Sequence, residues 1–252
     1  MIFRKFLMFA SRNAVPKFTL EVKSDNVGTS TDSQFTIPTT AGTYLYDYTT
    51  SDGQSGTGIT GDTTITFASG AGTYEIYITG TFPKIYFNNT GDKLKLLRVL
   101  EWGDYGVGQA THTSAFQGCT NLTSIASDVD NINVITGGVA MFRDTSLTSL
   151  PSGMTLPNLT GGLQMFRGTS LTDLPSGMTL PSLNSALQMF NGCTINTTRY
   201  SQLLVDLESG NANNSVTFGG GSSLYNATGE AARNILTGGV RLWTITDGGL
   251  EP

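Results

Sequence analysis

"MFRDTSLTSLPSGMTLPNLTGGLQ" (residues 141–164) is followed at once by "MFRGTSLTDLPSGMTLPSLNSALQ" (residues 165–188), and 18 of the 24 positions are identical. The register extends both ways. Ala115-Phe116, Met141-Phe142, Met165-Phe166 and Met189-Phe190 recur at intervals of 26, 24 and 24 residues. A unit this short cannot bury its apolar side alone, so a fixed period implies stacking of neighbours into a continuous core. Leu147, Leu150, Met154 and Leu156 are expected to pack on Leu171, Leu174, Met178 and Leu180. Phe142, Phe166 and Phe190 are expected to form a second internal column.

A period of about 24 residues points to a leucine-rich-repeat-like solenoid. Each unit reads as an "(M/A)F-x-(G/D)-(C/T)" turn, a short strand such as "SLTSLP", and a return ending in "TLPNL" or "TLPSL". Cys119 and Cys193 share one repeat position, with Thr145 and Thr169 between them. Three rungs at about 4.8 Å each separate the two thiols by roughly 14 Å. A disulfide spans at most about 7 Å between Cα atoms, so both cysteines are expected to be free and buried.

Composition supports a β-rich chain. Among 252 residues only 13% are charged, while Thr (38) and Gly (31) fill the gap. Thr is β-branched and suits strands, and Gly suits tight turns. The first 20 residues carry Arg4, Lys5, Arg12 and Lys17 with no acid, so the net −5 divides into +4 there and −9 beyond. An acidic body argues against nucleic acid as a partner, which needs a basic face. "MIFRKFLMFASRNAVPKF" begins like a secretory signal, but its apolar run at 6–10 is short and Arg12 interrupts it. An amphipathic arm over residues 1–16, docking through Arg4, Lys5, Phe6, Phe9 and Arg12, is the expectation. No window approaches the roughly 20 apolar residues of a membrane span, so no membrane insertion is expected.

Residues 18–80 read as short strands: "FTLEVKSD", "QFTIPTT", "TYLYDYTT", "DTTITFAS" and "GTYEIYITG". Tyr74, Ile76 and Ile78 alternate with Thr73, Glu75, Tyr77 and Thr79, the period of a strand with one buried face. Such a run suggests a small β-sandwich. "KIYFNNTGDKLKLLRVLEWGDYG" is expected to join sandwich to stack as irregular first rungs. At the far end, "RYSQLLVDLESG" and "TGEAARNILTG" have helical apolar spacing, while "NSVTFGGG" and "VRLWTITDGG" read as strands, together an α/β cap.

The unit "AFQGCTNLTSI…MFRDTSLTSLP…MFNGCT" resembles the BspA-like leucine-rich repeats, also described from mycoplasmal lipoproteins, over roughly residues 95–198. The preceding "FTLEVKSDNVGTS…FTIPTT…AGTYEIYITGTFPKIYFNN" is similar to the PKD-like module often placed before such repeats. It departs from that pattern where "WGDG" is usual and "YTTSDGQ" stands instead. The C-terminal "TFGGGSSLYNATGEAARNILTGG…WTITDGG" resembles endings of phage and prophage virion proteins. The expected fold is therefore mainly β. It comprises the arm (1–16), a PKD/Ig-like β-sandwich (17–82), a leucine-rich-repeat solenoid (83–198) and a small α/β cap (199–252).

Chemistry is sparse. His112 in "GQATHTSAFQG" is the one histidine and has no nucleophile elbow near it, so it reads as an ordinary turn or surface residue. One His and two distant Cys lack the ligand spacing of a zinc site, and neither a metal nor a cofactor is expected. Glu101 and Asp104 in "EWGDYG" are the paired carboxylates with company, since Trp102 and Tyr105 could stack on a sugar. The plainer reading, and the favoured one, packs Trp102 into the junction and leaves the two acids solvating a turn. Asp128 and Asp130 in "SDVDN" read as a solvated turn. Thr123 and Ser124, Thr148 and Ser149, and Thr172 and Asp173 fall at equivalent places between core leucines, a polar ladder able to bind an extended glycan or a flat neighbour.

The resemblance implies surface display without catalysis. The expectation is a non-enzymatic phage virion protein, of tail- or head-fibre or decoration type, assembled as a homo-oligomer (a trimer by analogy). It would contact other virion proteins through the arm and a host-surface glycan or protein through the repeats. Two alternatives stand: a bacterial cell-surface adhesin of the BspA type, and a glycan-degrading spike using Glu101 and Asp104.

Overall fold

A computed structural model describes residues 15–252, so the docking residues Arg4, Lys5, Phe6, Phe9 and Arg12 lie outside the described part. The N-terminal half contains β1 (Phe18–Lys23), β2 (Gln34–Ile37), β3 (Leu45–Thr50), β4 (Ser55–Ile59), β5 (Thr63–Thr66), β6 (Thr73–Thr81) and β7 (Leu96–Glu101). Five of these form one antiparallel sheet in the order β4-β3-β6-β1-β7. β6 buries Tyr74, Ile76 and Ile78 and turns its intervening residues outward, as alternation requires. It crosses β3 at Gly80, where φ is +92° and a Cβ would stand 2.7 Å from the Leu45 carbonyl oxygen. β2 and β5 form a separate two-stranded ribbon whose Phe35, Ile37 and Ile65 are buried. Phe67, just past that ribbon, stacks on Tyr74 at 3.9 Å and 6°.

The expected fold is corrected in two respects. The sheet is not completed within residues 17–82, because its edge strand β7 comes from segment 96–101 and pairs with β1. Nor does the repeat region form the leucine-rich-repeat solenoid. The architecture is mixed: the five-stranded sheet, small two- and three-stranded sheets and a few helices. "SLTSLP" and its counterpart at 170–175, expected as strands, hold no strand. Parallel pairing among the repeats is reduced to single-residue bridges, Thr111–Gly137–Gly161–Ser185.

The backbone explains this. Ser114, Ala140, Gln164 and Gln188 all have φ between +50° and +58°, and four residues later Gly118, Asp144, Gly168 and Gly192 are again left-handed. These left-handed turns reverse the chain in every unit, and across 146–151 and 170–175 neighbouring units share only single backbone bonds, such as Thr172 N–H to the Thr148 carbonyl, too few for a ladder. The units nevertheless stack. The amides of Phe116, Phe142 and Phe166 donate to the carbonyls of Met141, Met165 and Met189 at 2.8–3.0 Å. Phe116, Phe142, Phe166 and Phe190 lie face to face, 5.4, 5.7 and 5.5 Å apart and within 8° of parallel.

The column is continuous with both ends of the molecule. Phe116 meets Trp102 edge-on at 5.7 Å, and Trp102 stacks on Phe18 of β1 at 5.9 Å. Beyond a one-turn helix α1 (Asp130–Asn133) and β8 (Ser185–Ala186), the stack is closed by α2 (Thr197–Gly210), β9 (Thr217–Gly219), β10 (Leu224–Tyr225), α3 (Ala227–Thr237), β11 (Thr244–Thr246) and β12 (Gly249–Leu250). Phe190 abuts Phe218 of β9 at 6.1 Å. α2 and α3 occur where apolar spacing places them, each begun by an asparagine cap, Asn196 and Asn226. Gly229 lets them touch: a Cβ there would sit 2.9 Å from Ser201.

Candidate binding groove

The six ladder residues, Thr123, Ser124, Thr148, Ser149, Thr172 and Asp173, are all exposed. Backbone bonds between units hold them in line. Ser146 donates to Leu122, Thr172 to Thr148 and Asn196 to Thr172, at 2.9–3.2 Å. At its first step the ladder meets the sheet, because Ser124 bridges Arg98 of β7. At its last step it meets α2. Arg199 Nε donates to Asp173 Oδ1 at 3.2 Å and to the Leu174 carbonyl at 3.0 Å, and Asn196 Nδ2 also reaches Asp173 Oδ1.

Two adjoining hollows of about 320 and 210 Å³ open along this line and share Leu174, Pro175, Ser176 and Arg199. The smaller runs back to Ser149 and Ser152, and the larger runs forward between Met178 and the α2 side chains Gln202 and Asp206. Gln202 Nε2 donates to Asp206 Oδ1 at 2.9 Å. Sequence reasoning named Ser149 and Asp173 but missed Arg199, Gln202 and Asp206, having treated α2 only as a cap. The available signal was periodicity. These three polar residues recur at i, i+3 and i+7, on the side of the helix away from buried Tyr200, Leu204 and Leu207.

The "EWGDYG" quartet is not assembled as a sugar site. Trp102 and Tyr105 are completely buried and present no ring face outward. Trp102 Nε1 donates to the Ala126 carbonyl at 3.2 Å, and its backbone N–H donates to Asp128 Oδ2 at 2.9 Å. Asp128 thereby fixes the bend after β7, a role its neighbours in sequence do not announce. Glu101 and Asp104 are exposed, the first accepting a 3.4 Å bond from Thr19 and the second lining a separate hollow with Thr81 and Val107.

His112 is corrected from surface to interior. It is fully buried, its Nδ1 lies 3.0 Å from the Tyr105 hydroxyl and its Nε2 lies 3.2 Å from the Gln109 carbonyl. A carbonyl can only accept, so Nε2 carries the proton and Nδ1 accepts from Tyr105. Burial pushes its pKa down to about 4. The cysteines are free and buried, and burial raises both thiols. Among the described residues, no group of three or more His, Cys, Asp or Glu is placed to hold a metal ion, and no helix is long and apolar enough to cross a membrane.

Compared with protein-family models, curated proteins and solved structures, the chain matches none.

Proposed function

We propose that this chain is a non-enzymatic display protein of a phage virion, of fibre or decoration type, which presents its repeat face to a host surface or a neighbouring virion protein. The observation that carries the reading is the alignment of six exposed polar residues into one row that ends in an open groove. The stack fixes their spacing, because each step is set by a packed phenylalanine and a backbone bond. A rigid, regularly spaced row suits attachment, where preorganisation lowers the cost of ordering a surface on binding. The resemblance of the 217–249 motifs to virion-protein endings and the four basic residues without an acid in 1–20 are in keeping with a particle setting.

Two measurements test it. Virions assembled with a chain lacking residues 1–16 should carry none of this protein by quantitative mass spectrometry; full occupancy would end the docking role. Purified full-length protein should compete with particles for adsorption to the bacterial host. An adsorption rate unchanged at saturating protein would remove host attachment from the reading.

A further inference from the structure

Resting on that display reading, we infer that the groove between the 174–178 turn and α2 binds an uncharged, hydroxyl-rich polysaccharide segment lying along the ladder. The walls consist of donor–acceptor couples. Arg199 is paired with Asp173, and Gln202 with Asp206. A vicinal diol donates to a carboxylate while accepting from an adjacent N–H, so each couple matches one pair of sugar hydroxyls. Serines at 149, 152 and 176 add further small hydroxyls around the rim. Pro175 offers an apolar patch at the centre, where the C–H face of a ring can rest.

Charge decides between glycan classes. The groove holds Arg199 against Asp173 and Asp206, a net −1 in an acidic body, so a uronate or sulfated chain meets like charge. Peptide capture is disfavoured as well. Its two commonest modes use an open strand edge or pockets for apolar anchors. The ladder segments carry no strand, and Leu174 and Met178 are already 4% and 1% exposed. The groove is open at the Ser149 end, where the ladder continues toward Thr123 and Ser124, so a polymer is not forced to terminate there.

The test uses the full chain and two sets of hexasaccharides, one of neutral hexoses (glucan, mannan and galactan) and one of hexuronates. Calorimetric titration should show binding within the neutral set only. Ser149→Trp, which fills the exposed end, should weaken it at least tenfold with the thermal midpoint unchanged. If that variant does not fold, Gln202→Ala/Asp206→Ala on the exposed side of α2 should produce the same loss. Absence of binding across the neutral set, stronger binding of hexuronates, or full affinity in the folded groove variants would each overturn the inference. Particle occupancy and host adsorption, measured on the same preparations, judge the display reading separately. A protein that blocks adsorption yet binds no neutral glycan leaves that reading standing and removes only this one.

Discussion

The sheet and the repeat stack solve the same burial problem by opposite means. In the sheet, every strand but β4, which pairs with its sequence neighbour β3, finds a partner far away in sequence, and the core mixes residue types. Phe18 pairs opposite Ile78 and Val22 opposite Tyr74. In the stack, each unit packs on its neighbour 24 or 26 residues away, and one residue type fills one column. The sheet depends on singular residues. The stack depends on repetition, so the structural cost of one error is shared with both neighbours. The contrast teaches where to expect fragility: at a unique buried group in the sheet, and at the middle rungs of the column.

The largest effect should come from Phe166→Ala, which removes a ring packed on both faces at 5.7 and 5.5 Å. It is expected to cost about 4 kcal/mol in urea denaturation. An effect below about 1 kcal/mol would mean the column is filler.

On the sheet side, Lys95 is fully buried, and the three N–H bonds of its ammonium are shared among four acceptors at 2.7–3.1 Å, the carbonyls of Ser30, Thr31 and Gln34 and Ser30 Oγ. Desolvation lowers its pKa, and the nearby Asp92 opposes that shift. Asp92 accepts from the amides of Thr29, Ser30 and Thr36, which stitches the loop before β2 to the turn before β7. Lys95→Met leaves those acceptors unpaired and should cost about 3 kcal/mol. Equal stability would show that the loop is held by its amides alone.

The junction between the two regions supplies a pH dependence. His112 titrates near 4 when folded and near 6.5 in an unfolded chain. A depressed folded pKa means that its contribution is complete above pH 6.5 and is lost as pH falls toward 4. The loss is of the order of 3 kcal/mol. Denaturation curves between pH 7 and 4 should show it, and His112→Gln should flatten that window. A slope equal in both proteins would place the titration elsewhere.

The smallest effect separates the two near-identical repeats. Asp144 and Gly168 occupy the same left-handed position, at φ of +57° and +70°. A Cβ at Gly168 would lie 2.4 Å from Asp144 Oδ1. Gly168→Ala should therefore cost about 2 kcal/mol in the native chain but about 1 kcal/mol when Asp144→Gly is also present. Additive costs would show that the two positions do not feel each other. Non-additive costs would mark the difference between the repeats at this position as a steric pairing between neighbouring rungs.

Much of the stack was legible because its contacts are local in register. Period alone placed the phenylalanine column, the free thiols and the exposed ladder. The expected strands failed for a reason the apolar pattern does not encode: across 146–151 and 170–175 neighbouring units exchange single backbone bonds instead of a ladder. "EWGDYG" left two readings side by side, of which the favoured one, Trp102 packed at the junction, is what the structure has. Aromatic and acidic residues side by side describe a sugar site or a junction, and only the arrival of Phe18 and Phe116 buries the two rings.

The sequence by itself determined the repeat register, the buried columns, the alternation of β6 and the two capped helices, since each follows from spacing within one segment. Tertiary structure alone decided that β7 belongs to the sheet, that His112 lies inside, and that α2 returns across Asp173 to close a groove. Those outcomes depend on which apolar surfaces meet across the chain. Hydrophobic burial is non-directional, so a pattern of apolar residues states that a face will be covered without stating by what.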